Sequence, residues 1–241
     1  NEFFIYGGLR PTVKIQYYST ASNVFFGGVL RTLKEKTFGS WNIEITEVKG
    51  KDTPATEGFD FYIFEHTVPK VLPKDGIIFL VNPDSSADAG FSIVRRNVQV
   101  NDYDGDGASL AIGDGEHPLV RYMDVEGIKV TQYSQVDEAS LERYDVLMYY
   151  EGNPVFFARN EADSKIAVMT FSLNMSTLAL SVYYPILIYN MFNYYLPSTL
   201  TEDLCDVYDT IEVNARGSDL IVTAPDGTEL LFGEFPAKLY I

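Results

Sequence analysis

Apolar residues along the chain fall into short runs separated by polar turns, with the lengths and periods of alternating strands and helices. Residues 13–18 (Val-Lys-Ile-Gln-Tyr-Tyr) are β-branched and aromatic and predict a strand. Ser22 or Asn23 can cap the helix that follows over about 24–36, where Val24, Phe25, Gly28, Val29 and Leu33 form an apolar stripe. Lys34 and Lys36 suit the negative end of that helix's dipole, and Gly39-Ser40 stops it. Residues 41–48 alternate apolar and polar and read as a strand. Residues 59–64 (Phe-Asp-Phe-Tyr-Ile-Phe) and 77–81 (Ile-Ile-Phe-Leu-Val) are nearly continuous apolar runs, as expected of strands covered on both faces. This strand–helix–strand–strand–strand spacing predicts an open α/β sheet, mostly parallel, with flanking helices.

The middle of the chain is less regular. Residues 92–112 contain strand-like pieces around an acidic turn, and 128–133 predicts a strand. Residues 144–150 and 154–159 flank Glu151-Gly152-Asn153 as a hairpin, and 166–173 reads as the last core strand. Residues 183–196 predict a helix with Pro185 in its first turn, Ile188, Met191, Phe192 and Tyr195 on one face, and Pro197 at its end. Beyond it, 211–214, 220–224 and 229–232 are short strands, the last two joined by an Asp226-Gly227 turn, and together they predict a small all-β segment. The expected organisation is an N-terminal β segment over 1–9, an α/β domain over 10–197 and a β-rich segment over 198–241. No internal repeat is evident.

Composition narrows the classes. The 241 residues are 46% hydrophobic and 14% aromatic, enough for a real core. The formal net charge of −16 argues against nucleic acid and anionic lipid, both of which need a basic surface. One cysteine excludes an internal disulfide framework and a cysteine-based zinc site. The uncharged run 166–201 is interrupted by Pro185 and several Asn, Ser and Thr, and its helical part is too short to span a bilayer. Because the chain begins at Asn1, it is expected to be a piece of a longer or processed protein, with any membrane anchor outside it.

Four stretches carry a resemblance: residues 59–69 with their Val68-Pro69 turn, 76–83 (Gly-Ile-Ile-Phe-Leu-Val-Asn-Pro), His117-Pro118-Leu119, and 167–173 followed by Tyr184-Pro185-Ile186-Leu187. Together they resemble the extracytoplasmic region of bacterial BatA-like membrane proteins that carry a von Willebrand factor A domain. The segment 222–227 is similar to the β-sandwich strand that follows in that family. The resemblance implies a flavodoxin-like, class I glutamine amidotransferase-like α/β domain. It also implies a location outside the cytoplasmic membrane as part of a membrane-anchored parent.

Amidotransferase chemistry needs a thiolate on a tight strand-to-helix turn with a histidine base. The single Cys205 sits in Glu-Asp-Leu-Cys-Asp, where acidic neighbours raise a thiol pKa and no glycine brackets it. No Gly-x-Ser-x-Gly elbow replaces it, and no Gly-rich phosphate loop is present. His66 follows a buried strand, where α/β sheets place ligands, and is either a base or ligand or a turn residue. Glu65 and Asp84 are the other catalytic candidates at these strand ends. His117 precedes Pro118 and reads as a loop anchor. Asp102, Asp104 and Asp106, with Gly107, match the first half of a calcium loop, but position 12 is Gly113 and no helix pattern precedes them. A solvated acidic turn is the simpler reading, with calcium as the one cofactor in view. Asp84-Ser85-Ser86-Ala87-Asp88 superficially resembles a metal-dependent adhesion motif, but its last serine is replaced and its distant partners are missing.

These readings lead to the expectation of a non-catalytic extracytoplasmic domain that serves as a scaffold or interaction module for protein partners. The alternatives are an enzyme acting near His66, and a calcium-dependent adhesion module.

Overall fold

The computed structural model describes residues 12–20, 24–35, 42–86, 88–100, 109–161, 164–196, 210–213, 220–223, 226–232 and 237–240. The chain divides into two compact units, Arg10–Tyr195 and a second made of Asn1–Leu9 with Leu196–Ile241.

The larger unit is built on an eight-stranded mixed sheet. Its strands are β1 (Thr12–Ser19), β2 (Asn42–Lys49), β3 (Phe61–Glu65), β4 (Ile77–Val81), β6 (Leu110–Ile112), β8 (Asp145–Tyr150), β9 (Asn153–Glu161) and β10 (Ser164–Met169). A separate antiparallel pair is made by β5 (Ile93–Gln99) and β7 (Gln132–Val136). The order across the sheet is β2-β1-β3-β4-β10-β9-β8-β6. The first five of these strands run parallel, with β1 against β2 and β3, β3 against β4, and β4 against β10. The remaining three join by antiparallel pairing. The sheet is therefore less parallel than the strand spacing suggests. The reason is the tight Glu151-Gly152 turn, with φ of 50° and 75°, which returns β8 onto β9 and cannot support a crossover.

The central strands β3 and β4 are buried at every position, which explains their unbroken apolar runs. Successive side chains alternate between the two faces. On one face lie α1 (Val24–Glu35) and α2 (Tyr183–Tyr195). There Phe26 stacks on Tyr17 with ring centres 5.2 Å apart and meets Phe79 at 6.1 Å, while Phe192 packs on Phe61 at 5.4 Å. On the other face, Tyr62, Phe64, Ile78, Leu80, Ile166 and Val168 pack against Ala89, Phe91, Val136, Leu141 and Tyr144. Both described α-helices thus cover one face, and irregular chain with short strands covers the other. Each fully buried Phe or Leu contributes on the order of 2 kcal/mol.

The strand expected over 128–133 forms three to four residues later, as Gln132–Val136, with Val130 making only an isolated bridge to Ser176. The core strand expected over 166–173 ends at Met169, and 3-10 turns follow at Leu173–Met175 and Leu178–Leu180. The N-terminal segment 1–9 lies outside the described residues.

In the second unit, β11 (Thr210–Val213) pairs antiparallel with β14 (Ala237–Tyr240) and β12 (Leu220–Thr223) with β13 (Glu229–Phe232). Asp226 and Gly227 lie between the last two, Gly227 with φ of 85°.

Candidate functional site at the carboxyl edge of the parallel strands

The parallel register brings Ser19, Glu65, Val81 and Met169 level at one edge of the sheet. This is where open α/β sheets bind ligands. Glu65 extends the apolar run of β3 by one acidic residue, and its side chain is fully buried. A buried carboxylate is tolerated only when hydrogen-bonded. The neighbouring strand supplies the bonds. Tyr17 and Ser19 lie two residues apart on β1 and so project to the same face. The Tyr17 hydroxyl donates to Glu65 Oε2 at 2.5 Å, and the Ser19 hydroxyl donates to the same oxygen at 3.3 Å.

The residues just past β3 and β4 both have left-handed backbones, His66 at φ 60° and Asn82 at φ 43°. Their amides nevertheless continue the ladder, His66 N–H donating to the Val81 carbonyl at 2.9 Å and Asn82 N–H to that of Met169 at 2.7 Å. Their side chains meet: Asn82 Nδ2 lies 3.0 Å from His66 Nδ1. An amide nitrogen can only donate, so Nδ1 accepts and the imidazole proton resides on Nε2. That Nε2 lies 3.8 Å from Glu65 Oε1. Asn82, His66 and Glu65 thus form a chain in which each side chain orients the next.

Tyr184, in the first turn of α2, closes the cluster. Its ring is fixed by an edge contact with Phe26 at 6.0 Å. Its hydroxyl is buried and has no hydrogen-bond partner. Burial pushes the Tyr184 phenol pKa well up, and the Glu65 charge and Tyr17 push it further. Burial also raises Tyr17, reinforced by the charge of Glu65 and the bond to it. Both phenols therefore remain protonated donors beside a carboxylate acceptor.

Of the residues singled out from sequence, Glu65 and His66 come together here. Asp84 does something else: its Oδ1 accepts the Val68 amide at 3.1 Å and so fixes the turn after His66. His117 anchors its own loop, Nδ1 accepting the Leu119 amide at 3.2 Å. Asp102, Asp104 and Asp106, and Cys205, lie outside the described residues. Among the described residues no group of three His, Cys, Asp or Glu is placed to hold a metal ion. Sequence reasoning missed Tyr17, Ser19, Asn82 and Tyr184. The one local signal was the acidic residue appended to an all-apolar strand, which demands polar partners from elsewhere.

No protein-family model matches the chain, and no curated protein matches it. Solved structures do share its fold. Cytoplasmic protein STM3548 from Salmonella typhimurium aligns with a TM-score of 0.56 at 10% identity, over 76% of this chain and 99% of its own. Cytoplasmic protein STM1381 from Salmonella typhimurium LT2 aligns with a TM-score of 0.54 at 10% identity, over 76% and 99%. Agd3, a carbohydrate deacetylase, aligns at 0.49 and 9% identity, over 79% of this chain and 33% of its own. At such identities the likeness defines an α/β fold and leaves the chemistry to the site.

These findings correct the BatA-like resemblance. STM3548 and STM1381 are named cytoplasmic proteins, and neither is a von Willebrand factor A-associated membrane protein. The extracytoplasmic location and the membrane-anchored parent rested on that resemblance, and the scaffold role rested on it together with the missing thiol nucleophile; location, parent and scaffold role are withdrawn with it. The physical reason is that the stretches 59–69 and 76–83 encode doubly covered strands with their turns. Any open sheet of this type needs these, so they specify architecture and no cellular address. Among the described residues no helix is long and apolar enough to cross a membrane.

Proposed function

We propose that this chain binds a small polar molecule at the carboxyl edge of its parallel strands, with Glu65 as the proton-accepting group. One observation carries the reading: a fully buried carboxylate at a strand end, held by hydroxyls from a neighbouring strand, beside a buried phenol that has no partner. Structural carboxylates are ordinarily buried with their surroundings satisfied; here one polar atom of the cluster, the Tyr184 hydroxyl, is without a hydrogen-bond partner. The chemistry is not that of a thiol. The left-handed residues at the ends of β3 and β4 are His66 and Asn82, neither of them a thiol or hydroxyl nucleophile, and Cys205 is flanked by acidic residues.

A second reading follows from the Asn82–His66–Glu65 chain. An imidazole oriented through Nδ1 and facing a carboxylate through Nε2 is an arrangement suited to proton transfer. In that reading Glu65 and His66 exchange a proton with the bound molecule, and Asn82 is a positioning residue.

The finer architecture is also part of the proposal: a class I amidotransferase-like arrangement of the sheet, followed by a β-rich segment. The five parallel strands and the two antiparallel pairs after residue 209 support it. The −16 charge supports a partner that is neither nucleic acid nor anionic lipid.

The test is a thermal-shift screen of a polar metabolite-sized library on the parent chain and on Glu65→Gln. Compounds that stabilise the parent and not the variant are expected. Identical shifts in the two proteins, or no shift in either, would refute the site.

A further inference from the structure

We propose that His66 and Asn82 form a proton-operated switch, in which the Asn82 side-chain amide turns over when the His66 imidazole takes up a second proton. Two hydrogen bonds hold the backbone of the pair in place. The His66 amide donates to the Val81 carbonyl at 2.9 Å and the Asn82 amide to that of Met169 at 2.7 Å. Both residues have left-handed backbones, with φ of 60° and 43°, which few non-glycine residues adopt. The main chain is thus fixed just past β3 and β4, and the side chains are left to turn. They meet at one contact, Asn82 Nδ2 to His66 Nδ1 at 3.0 Å.

In the neutral ring Nδ1 carries a lone pair and accepts from the amide. In the imidazolium both ring nitrogens carry protons and neither accepts. Two N–H groups would then face each other across 3.0 Å. A half-turn about the Asn82 Cβ–Cγ bond removes the conflict, because it puts Oδ1 where Nδ2 stood, and this terminal torsion is broad and roughly two-fold. Nε2 takes no part in the exchange: it is protonated in both forms and keeps Glu65 Oε1, at 3.8 Å, as its neighbour. Glu65 is the one ionic partner of the ring among the described residues. From the β4 side Asp84 turns Oδ1 to the Val68 amide at 3.1 Å, and from β1 the neutral hydroxyls of Tyr17 and Ser19 bond Glu65. The half-turn also reverses the outer end of the amide. At the ligand site proposed above, Asn82 therefore offers an acceptor while the ring is neutral and a donor once it is protonated. The switch itself belongs to the free chain and does not depend on that site being occupied.

NMR of the labelled, ligand-free chain from about pH 5 to about pH 8, where imidazoles exchange their proton, tests the switch. The neutral His66 is expected to carry its proton on Nε2. A cross-peak should join the Asn82 amide protons to the His66 Cε1 proton while the ring is neutral, and be lost with the same midpoint as the ring titrates. The backbone amides of His66 and Asn82 should stay protected from exchange throughout. In His66→Gln the Asn82 amide signals should no longer change over this range. In Asn82→Asp, whose carboxylate only accepts, His66 should stay protonated to higher pH than in the parent. A neutral ring protonated on Nδ1 would overturn the proposal, because Asn82 would then already accept and have nothing to reverse. A cross-peak that survives protonation, or backbone amides that lose protection in acid, would overturn it too. So would Asn82 signals that still titrate in His66→Gln, or an unchanged His66 titration in Asn82→Asp. The cross-peak in the parent decides the question even if either variant fails to fold.

Discussion

The Tyr17 hydroxyl donates to Glu65 Oε2 across 48 positions of sequence, from one buried strand to its parallel neighbour. The two groups satisfy each other, and removing one strands the other. Tyr17→Phe leaves the buried carboxylate short of a donor and is expected to destabilise the fold by about 1–3 kcal/mol. Glu65→Gln in the Tyr17→Phe background is expected to cost less than it does alone, because the charge it removes has already lost its main support. A double-mutant cycle measured by urea unfolding gives the coupling. Strictly additive effects would show that the two side chains do not act as a pair.

Alkali is expected to unfold this protein through its buried phenols. Burial raises the pKa of Tyr17, Tyr62, Tyr184 and Tyr195, and pushes Tyr144 from 10.0 up to about 12. In the unfolded chain each phenol loses its proton near pH 10. The folded state therefore holds more protons above that value, so the stability these groups confer is complete below about pH 10 and falls as pH rises. For Tyr144 the loss is complete above about pH 12. Urea midpoints taken from about pH 8 to about pH 11 should be level at first and then drop. A midpoint that stays level through about pH 11 would contradict this.

How much of this was readable in advance depends on the range of the interaction. The runs Phe61–Glu65 and Ile77–Val81 marked the central strands because double coverage leaves no polar alternation. Glu151-Gly152 marked the hairpin because both positions need positive φ. The direction in which β9 and β6 join the sheet was not readable, since pairing partners are set by long-range register. The site was half readable. Glu65 and His66 stand out as polar residues closing an apolar strand, but Tyr17 and Tyr184 look like any aromatic residue of a strand or helix. Only the register of β1 on β3, with Ser19 level with Glu65, and the packing of α2 over Phe26 bring them to the carboxylate. The family resemblance failed for the complementary reason: it rested on strand and turn signals, which report architecture.

His117 is expected to make the fold sensitive to mild acid. Its Nδ1 accepts the Leu119 amide, its Nε2 lies 3.9 Å from Asp145 Oδ2, and its ring packs against Tyr194 at 5.2 Å. Burial lowers its pKa below 6.5, partly offset by Asp145 and Asp114. The folded state thus favours the neutral ring. The associated stability is present above the ordinary value of 6.5 and is lost as pH falls through the lowered one. His117→Gln should flatten the pH dependence of unfolding in this window. Asp145→Asn should lower the His117 titration midpoint in NMR, because it removes the charge that favours protonation. An unchanged midpoint would mean that Asp145 does not act on the ring.

Two glycines with similar backbones should respond differently to alanine. Gly76 has φ of 74°, and a Cβ there would lie 2.5 Å from the Phe59 carbonyl oxygen and 2.8 Å from that of Asp60. Those carbonyls belong to the turn into β3, and the Asp60 oxygen already accepts the Ile77 amide at 3.0 Å, so neither can move without breaking the start of both central strands. Gly127 has φ of 77° and open space around it. Gly127→Ala therefore meets only the left-handed backbone penalty, about 1 kcal/mol, whereas Gly76→Ala adds a backbone collision and is expected to cost about 3 kcal/mol or more. Unfolding both variants in urea isolates the collision as the difference between them. If the two lose stability equally, the approach of the Gly76 backbone to the β3 turn is looser than the structure describes. The site would then lose one of the constraints that hold Glu65, four residues beyond Phe61, at the strand end.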